Sequence, residues 1–245
     1  MKQLYHSSEV YSEKYYLKQY NDSYFRIIHC YVRGKGFESI NKKKSSKDEV
    51  ERCSVSRSKK NIRELAFCNP FTHFVTFTVR PEFANRFDLD ECQDKLRELM
   101  KAYKRKNPKL IYLFITEKHQ NGAYHFHGLM GNFEKALKND LYTNQYGYIS
   151  SKHWDKLGWN SFSEIKDFNK CCNYITKYIT PDCVRNSSGT IYISSRGLRK
   201  ADKYEIPPVN FLKWQFENDY VQIKDSFHFT DEECKKFFQF SIDLN

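Results

Sequence analysis

Between residues 60 and 200 the apolar and polar positions of this chain change period several times, and each change marks an element. Thr72 to Val79 is β-branched or aromatic at nearly every position and stops before Pro81, so a first core strand is expected near 73–79. Asp88-Leu89-Asp90-Glu91 then has the form of a capping box. Leu89, Cys92, Leu96, Leu99, Met100 and Tyr103 follow at helical spacing until Asn107-Pro108, which predicts a helix near 89–106 packed on a sheet. Leu110 to Thr116 is an almost unbroken apolar run, as in a central strand covered on both faces, and a strand near 109–117 is expected. A turn at Gln120-Asn121-Gly122 leads to another buried strand near 123–130. Further on, Ser161 to Lys166 reads as a strand and Asp167 as the N-cap of a helix near 168–180, ended by Pro181. A last strand is expected near 190–195. Helices on one antiparallel sheet make this an α+β protein.

The flanks are less definite. Residues 1 to about 70 are polar, tyrosine-rich and basic in patches, with Lys42, Lys43, Lys44 and Lys47 in a Ser/Lys stretch that reads as an exposed loop. Arg57 to Cys68 fits a short helix, Ile62, Leu65 and Ala66 inward and Arg57, Lys59, Lys60 and Arg63 outward. The tail has Trp214 and Phe216 in one segment and a helix capped by Thr230 near its end. At 245 residues the chain can bury a real core without staples. The expected division is a basic extension over 1–60, a core domain over 61–202, and a C-terminal extension over 203–245 packed on that core.

Charge adds a partner class. With 41 Lys and Arg against 30 Asp and Glu, the net charge of +11 favours polyanions, nucleic acid being the commonest. The 18 tyrosines and 20 phenylalanines mostly fill the core, yet some can stack unpaired bases. The eight cysteines are scattered, with no Cys-x-x-Cys, and read as reduced thiols. No signal peptide opens the chain and no apolar run reaches the roughly 20 residues of a membrane helix. A soluble protein of the cytoplasm, with no membrane partner, is expected.

The chemistry centres on His125 and His127, which sit two apart on a strand and so share a face. If Gln120-Asn121-Gly122 forms a type I turn closed by a left-handed Gly122, His119 faces Ala123 and Glu117 falls opposite His125. Glu117, His125 and His127 then point the same way, whereas a two-residue turn would put Glu117 on the wrong side. His119 is the substitute for Glu117 as third ligand. Two imidazoles and a carboxylate leave open positions on a divalent ion, Mg²⁺ or Mn²⁺ when the substrate is phosphate-rich. Tyr174 and Tyr178 lie four apart on the border of the later helix, with Lys170 and Lys177 on its polar side. A tyrosine beside such an ion can attack a phosphodiester, and Lys177 can favour the phenolate or pair with the phosphate.

These residues resemble the ordered motifs of the HUH endonucleases: the Phe74-Val75-Thr76-Phe77-Thr78 strand, His125-Phe126-His127, and Tyr174-Ile175-Thr176-Lys177-Tyr178. Within that superfamily the segment from about Ile62 to Lys200 is most similar to the rolling-circle replication initiators of small single-stranded DNA phages, plasmids and integrated elements. The resemblance implies a ferredoxin-like, split-βαβ HUH domain over 61–202 with N- and C-terminal additions. It implies metal binding by Glu117, His125 and His127, Tyr174 as nucleophile and Lys177 as its auxiliary. It also implies nicking of single-stranded DNA at an origin, a 5′-phosphotyrosine link and a 3′-OH left for a host polymerase. Tyr178 leaves two patterns open, two alternating tyrosines or Tyr174 alone. No phosphate-cradling loop is present, so a host helicase is an implied partner. The DNA is expected in a basic groove, with Lys170, Arg196, Arg199 and Lys200 as candidate contacts. Three alternatives stand beside this: a non-enzymatic single-stranded nucleic-acid-binding module, an HUH transposase or relaxase, and a cupin-like oxygenase. The last is disfavoured because Gly128 to Phe133 contains no carboxylate.

Overall fold

In the computed structural model the described residues are 11–21, 24–33, 46–132, 141–181, 183 and 191–206. The chain divides into two compact units, one formed by residues 1–44 and 200–245, the other by residues 45–199. This differs from the expected boundaries at both ends.

The first unit contains a three-stranded antiparallel sheet of β1 (Tyr11–Asn21), β2 (Tyr24–Arg33) and β10 (Asp202–Ile206), with β1 in the middle. Strand β10 pairs Ile206 with Tyr15 and Asp202 with Gln19. Lys14 and Glu205 close a 2.7 Å ion pair across that pairing. Lys42 to Lys44, Trp214, Phe216 and the expected Thr230-capped helix lie outside the described residues.

The second unit is an α+β layer structure. Its elements are α1 (Lys47–Phe67), β3 (His73–Val79), α2 (Leu89–Lys106), β4 (Ile111–Lys118), β5 (Tyr124–Gly131), β6 (Leu141–Thr143), β7 (Ile149–Ser151), β8 (Gly158–Glu164), α3 (Phe168–Lys177) and β9 (Tyr192–Ser194). The sheet runs β6-β7-β8-β3-β5-β4-β9, every recorded pairing antiparallel. Strands β3 and β4 are therefore parallel with β5 between them and α2 as their crossover, which is a split βαβ unit.

The capping expected of α2 is present: the Asp88 side chain accepts from the Glu91 N–H at 3.0 Å, and three basic residues close the last turn where the helix dipole favours them. Helix α1 is longer than expected. It starts at Lys47 with Ser46 as N-cap, so Lys47 is helical rather than part of a loop. Its apolar positions are sparse until Ile62, and for that reason the pattern showed only its last turns. Helix α3 ends at Lys177 instead of Thr180, because Tyr178 is already its C-cap and Pro181 disfavours helix at the residue before it. Strand β8 starts three residues earlier than the expected Ser161, and the β6–β7 hairpin is additional.

Each face of the sheet has its own core. On one side Cys92, Leu96, Met100 and Tyr103 of α2 pack on Val75, Phe77, Phe114 and Phe126. Phe77 stacks on Trp154 with centroids 4.6 Å apart and rings 4° from parallel. Burying each such ring stabilises the fold by about 1.5–3 kcal/mol. On the other side Ile62, Leu65 and Ala66 of α1 and Cys172, Ile175 and Ile179 from α3 and its end cover Leu113, Ile115 and Leu129. His125 and His127 share the parity of Leu129, so they face the α1/α3 side.

Candidate functional site

Strand β5 carries the histidines between β3 and β4, where hydrogen bonds on both edges hold its backbone. Their position relative to Glu117 depends on the β4–β5 turn. The Gly122 N–H donates to the His119 carbonyl at 2.8 Å and the His119 N–H to the Ala123 carbonyl at 2.8 Å, with Gly122 left-handed at φ 86°. This is the three-residue loop expected, and it places Glu117 opposite His125.

The side chains then interlock. Glu117 Oε2 lies 2.6 Å from His127 Nε2. His125 stacks on His119 with centroids 4.3 Å apart. From β3, Thr76 Oγ1 meets His127 Nδ1 at 3.1 Å and Thr78 Oγ1 meets His125 Nδ1 at 3.0 Å. Each threonine is directly opposite its histidine across the β3–β5 ladder. The two hydroxyls fix the ring planes and leave Nε2 as the outward atom of each imidazole. Burial, reinforced by His119 and His127, pushes His125 down to about 4. His127 is also lowered by burial, against the opposing pull of Glu117. Neutral imidazole is the form that binds a metal.

Helix α3 brings both tyrosines to His127. Tyr174 meets it edge-on at 5.8 Å and Tyr178 stacks on it at 5.2 Å. The two phenol rings are 5.2 Å apart, and Phe74 supports Tyr174 edge-on at 5.4 Å. Tyr174 is 44 % exposed, whereas Tyr178 is half-buried. Burial raises the pKa of Tyr178, as does a hydrogen bond with Tyr174 that keeps the proton on it. Lys177 is exposed and lines a cleft of about 350 Å³ with Glu117, His119, Tyr178 and Thr180.

The donor set fits a divalent ion in chemistry: two oriented imidazoles and a carboxylate on one face. A closed cage is not preformed. Among the described residues no three His, Cys, Asp or Glu side chains are already gathered to hold an ion, because Glu117 is engaged with His127 and His125 with His119.

The four candidate DNA contacts are not brought together. Lys170 sits in the first turn of α3 with its ammonium 3.3 Å from Asp167. Arg196 lines a different cleft, on the α2 side. Arg199 has its backbone clamped by the Asn69 side chain at 2.9 and 3.0 Å, and Lys200 belongs to the first unit.

Two residues escaped the sequence reading. Trp159 of β8 pairs with Thr78, which pairs in turn with His125, so it stands on the histidine face two strands away, about 10 Å across the sheet. It is 39 % exposed, and Tyr148, 50 % exposed, meets it edge-on at 5.9 Å. Alternation from Gly158 onward would have revealed Trp159. The described cysteines are free thiols, and burial pushes Cys171 up to about 11 and Cys172 up to about 12, as in inert core residues. No helix among the described residues is long and apolar enough to cross a membrane.

Comparison with known proteins gives one match. No curated protein and no solved structure matches the chain. Residues 72–182 match the family model of the replication-associated protein ORF2. The matched span begins at the residue before β3, contains the histidine strand and ends just beyond the tyrosine helix, so over its chemically distinctive part this chain is similar to a replication-associated protein family.

Proposed function

We propose that this protein is a replication initiator that nicks single-stranded DNA at an origin through a tyrosine nucleophile, within the HUH superfamily. The observation that carries the reading is the meeting of three distant segments: Thr76 and Thr78 of β3, His125 and His127 of β5, and Tyr174 and Tyr178 of α3, all against one carboxylate, Glu117. Core packing alone gives no reason for an exposed phenol, a paired acid and oriented imidazoles to converge.

Tyr174 is the nucleophile in this reading, being the more exposed of the pair. Its Oη attacks a backbone phosphorus; an Oη–P bond forms, the P–O3′ bond breaks, the phenolic proton is lost and the departing 3′ oxygen takes one up. Lys177, one turn along α3, faces the same cleft and balances the charge of the phenolate or phosphate. Glu117, His125 and His127 would hold Mg²⁺ or Mn²⁺, which when bound polarises the phosphate oxygens. Thr76 and Thr78 orient the imidazoles. Trp159 and Tyr148 offer stacking surfaces for unpaired bases on the same sheet face. A host helicase and polymerase would supply unwinding and synthesis.

The test is incubation with Mn²⁺ and single-stranded circular DNA, then denaturing electrophoresis and mass spectrometry. A nucleotide adduct on Tyr174 that disappears with EDTA is expected. DNA binding without an adduct, across several metals, would instead leave a non-enzymatic module, the reading that the open aromatic pair favours.

A further inference from the structure

A second cleft, of about 810 Å³, opens on the α2 side of the sheet, the side opposite the tyrosines. Five cations line it: Arg97, Lys101, Lys104 and Arg105 of α2, and Arg196 from the turn after β9, with Tyr112 at its base. We propose that this cleft binds the phosphodiester backbone of nucleic acid beyond the segment held at the tyrosines. The proposal rests on the functional reading above for the identity of the polyanion, not for the existence of the site.

The end of a helix favours basic residues, which accounts for Lys104 and Arg105. It does not account for Arg97 and Lys101, which lie one and two turns earlier, or for Arg196, which comes from another element. Like charges gathered in one concavity repel, so folding gains nothing from their convergence. Two of the five are anchored. Arg97 donates to Asp94 and to Gln93, both at 2.7 Å, and Lys104 donates to the Leu110 carbonyl at 2.7 Å. Lys101, Arg105 and Arg196 are exposed and have no ion-pair partner among the described residues. Two anchored and three open cations around an apolar base suit a polyanion that spans the cleft.

The two clefts are joined by one row of α2. Leu89 and Gln93 line the tyrosine-side cleft, Arg97, Lys101 and Arg105 line the basic one, and the five recur every fourth residue. Arg97 and Gln93, on either side of the boundary, are bonded to each other. The passage is open because β9 pairs with β4 only at Leu113 to Ile115, and the first cleft takes residues from both sheet faces beyond that point. From Arg97 to Arg105 the row runs about 12 Å. A strand leaving the tyrosines can round the edge of β4 and follow it.

The test compares the full chain with a Lys101→Ala/Arg105→Ala/Arg196→Ala variant and with a charge-preserving Lys101→Arg/Arg105→Lys/Arg196→Lys variant. All are measured in a Tyr174→Phe background by fluorescence anisotropy over a salt series. The probes are a short single-stranded oligonucleotide and one extended at either end. Loss of three phosphate contacts should flatten the dependence of log affinity on log salt by about 2 for the extended strand. The charge-preserving variant should keep the slope, and the short strand should bind all three alike. An unchanged slope in the alanine variant overturns the proposal and leaves nicking by Tyr174 standing. A flattened slope in a protein whose wild-type form makes no tyrosine adduct upholds the cleft and removes the nickase.

Discussion

Glu117 does not bond to His125, its direct partner across β4 and β5; it reaches diagonally to His127 Nε2 at 2.6 Å. The diagonal leaves His125 Nε2 outward and draws the carboxylate toward the tyrosines. If these groups hold a cation, each of the threonines behind the imidazoles contributes. Thr76→Val and Thr78→Val keep the shape of a strand residue and remove the Nδ1 partner. Each is expected to weaken Mn²⁺ binding by about 10- to 100-fold in calorimetry, with little change in the folding midpoint. Unaltered binding in both would take the ion away from these histidines.

Tyr174→Phe should abolish adduct formation while DNA affinity stays within about threefold, a phenol hydrogen bond being worth on the order of 0.5–1.5 kcal/mol at most. Tyr178→Phe should retain a first cleavage. The assay is a labelled-oligonucleotide gel with both single variants, and cleavage lost only in Tyr178→Phe would reverse the assignment.

Acid should loosen the site before it unfolds the core. The folded-state pKa of His125, about 4, lies below its ordinary value of 6.5, so in that interval the unfolded chain binds the extra proton. Its contribution to stability is complete above about 6.5 and is lost as the pH falls toward 4. His127 shifts in the same direction, with His119 and Glu117 as the charged neighbours on this face. Denaturant midpoints of the metal-free protein should fall between pH 7 and pH 4.5, and less so in His125→Gln. Equal slopes in the two proteins would contradict a neutral, buried His125.

Much of this site was legible because its signals are local. The β3 and β5 strands show period two or a continuous apolar run, the turn has Gly122 where a left-handed residue is required, and Asp88 and Asp167 cap their helices as their types suggest. The diagonal bond of Glu117, the backing of the imidazoles by Thr76 and Thr78, and the union of Arg196 with α2 come from cross-strand register and tertiary packing. No window along the chain contains them. The first half of α1 was missed for another reason: over Lys47 to Ser56 its residues are mostly exposed, so no apolar stripe announces it.

Trp159→Ala should lower single-stranded DNA affinity by about 5- to 150-fold, the equivalent of one stacked base, while the salt slope stays as it was. Titration by anisotropy at two salt concentrations separates this loss from a loss of phosphate contacts. No change in affinity would make Trp159 an ordinary surface residue.

Gly158, just before Trp159, has φ 145°, and a Cβ there would collide with the Thr78 carbonyl oxygen. Gly158→Ala is therefore expected to cost about 2 kcal/mol or more, from strain and from displacement of β8 at the strand that supports His125. Urea denaturation measures this, and a cost below about 0.5 kcal/mol would mean the β3–β8 contact yields easily.

The three-residue loop at Gln120 to Gly122 also restricts how the gene can drift. Losing a single codon there would leave all the reactive side chains in place, yet by converting the hairpin to its two-residue form it would turn Glu117 to the opposite face of the sheet. Losses or gains of two residues would restore the parity. Length at this turn is thus inherited modulo two, and a frame-preserving deletion far smaller than any domain is enough to disarm the protein.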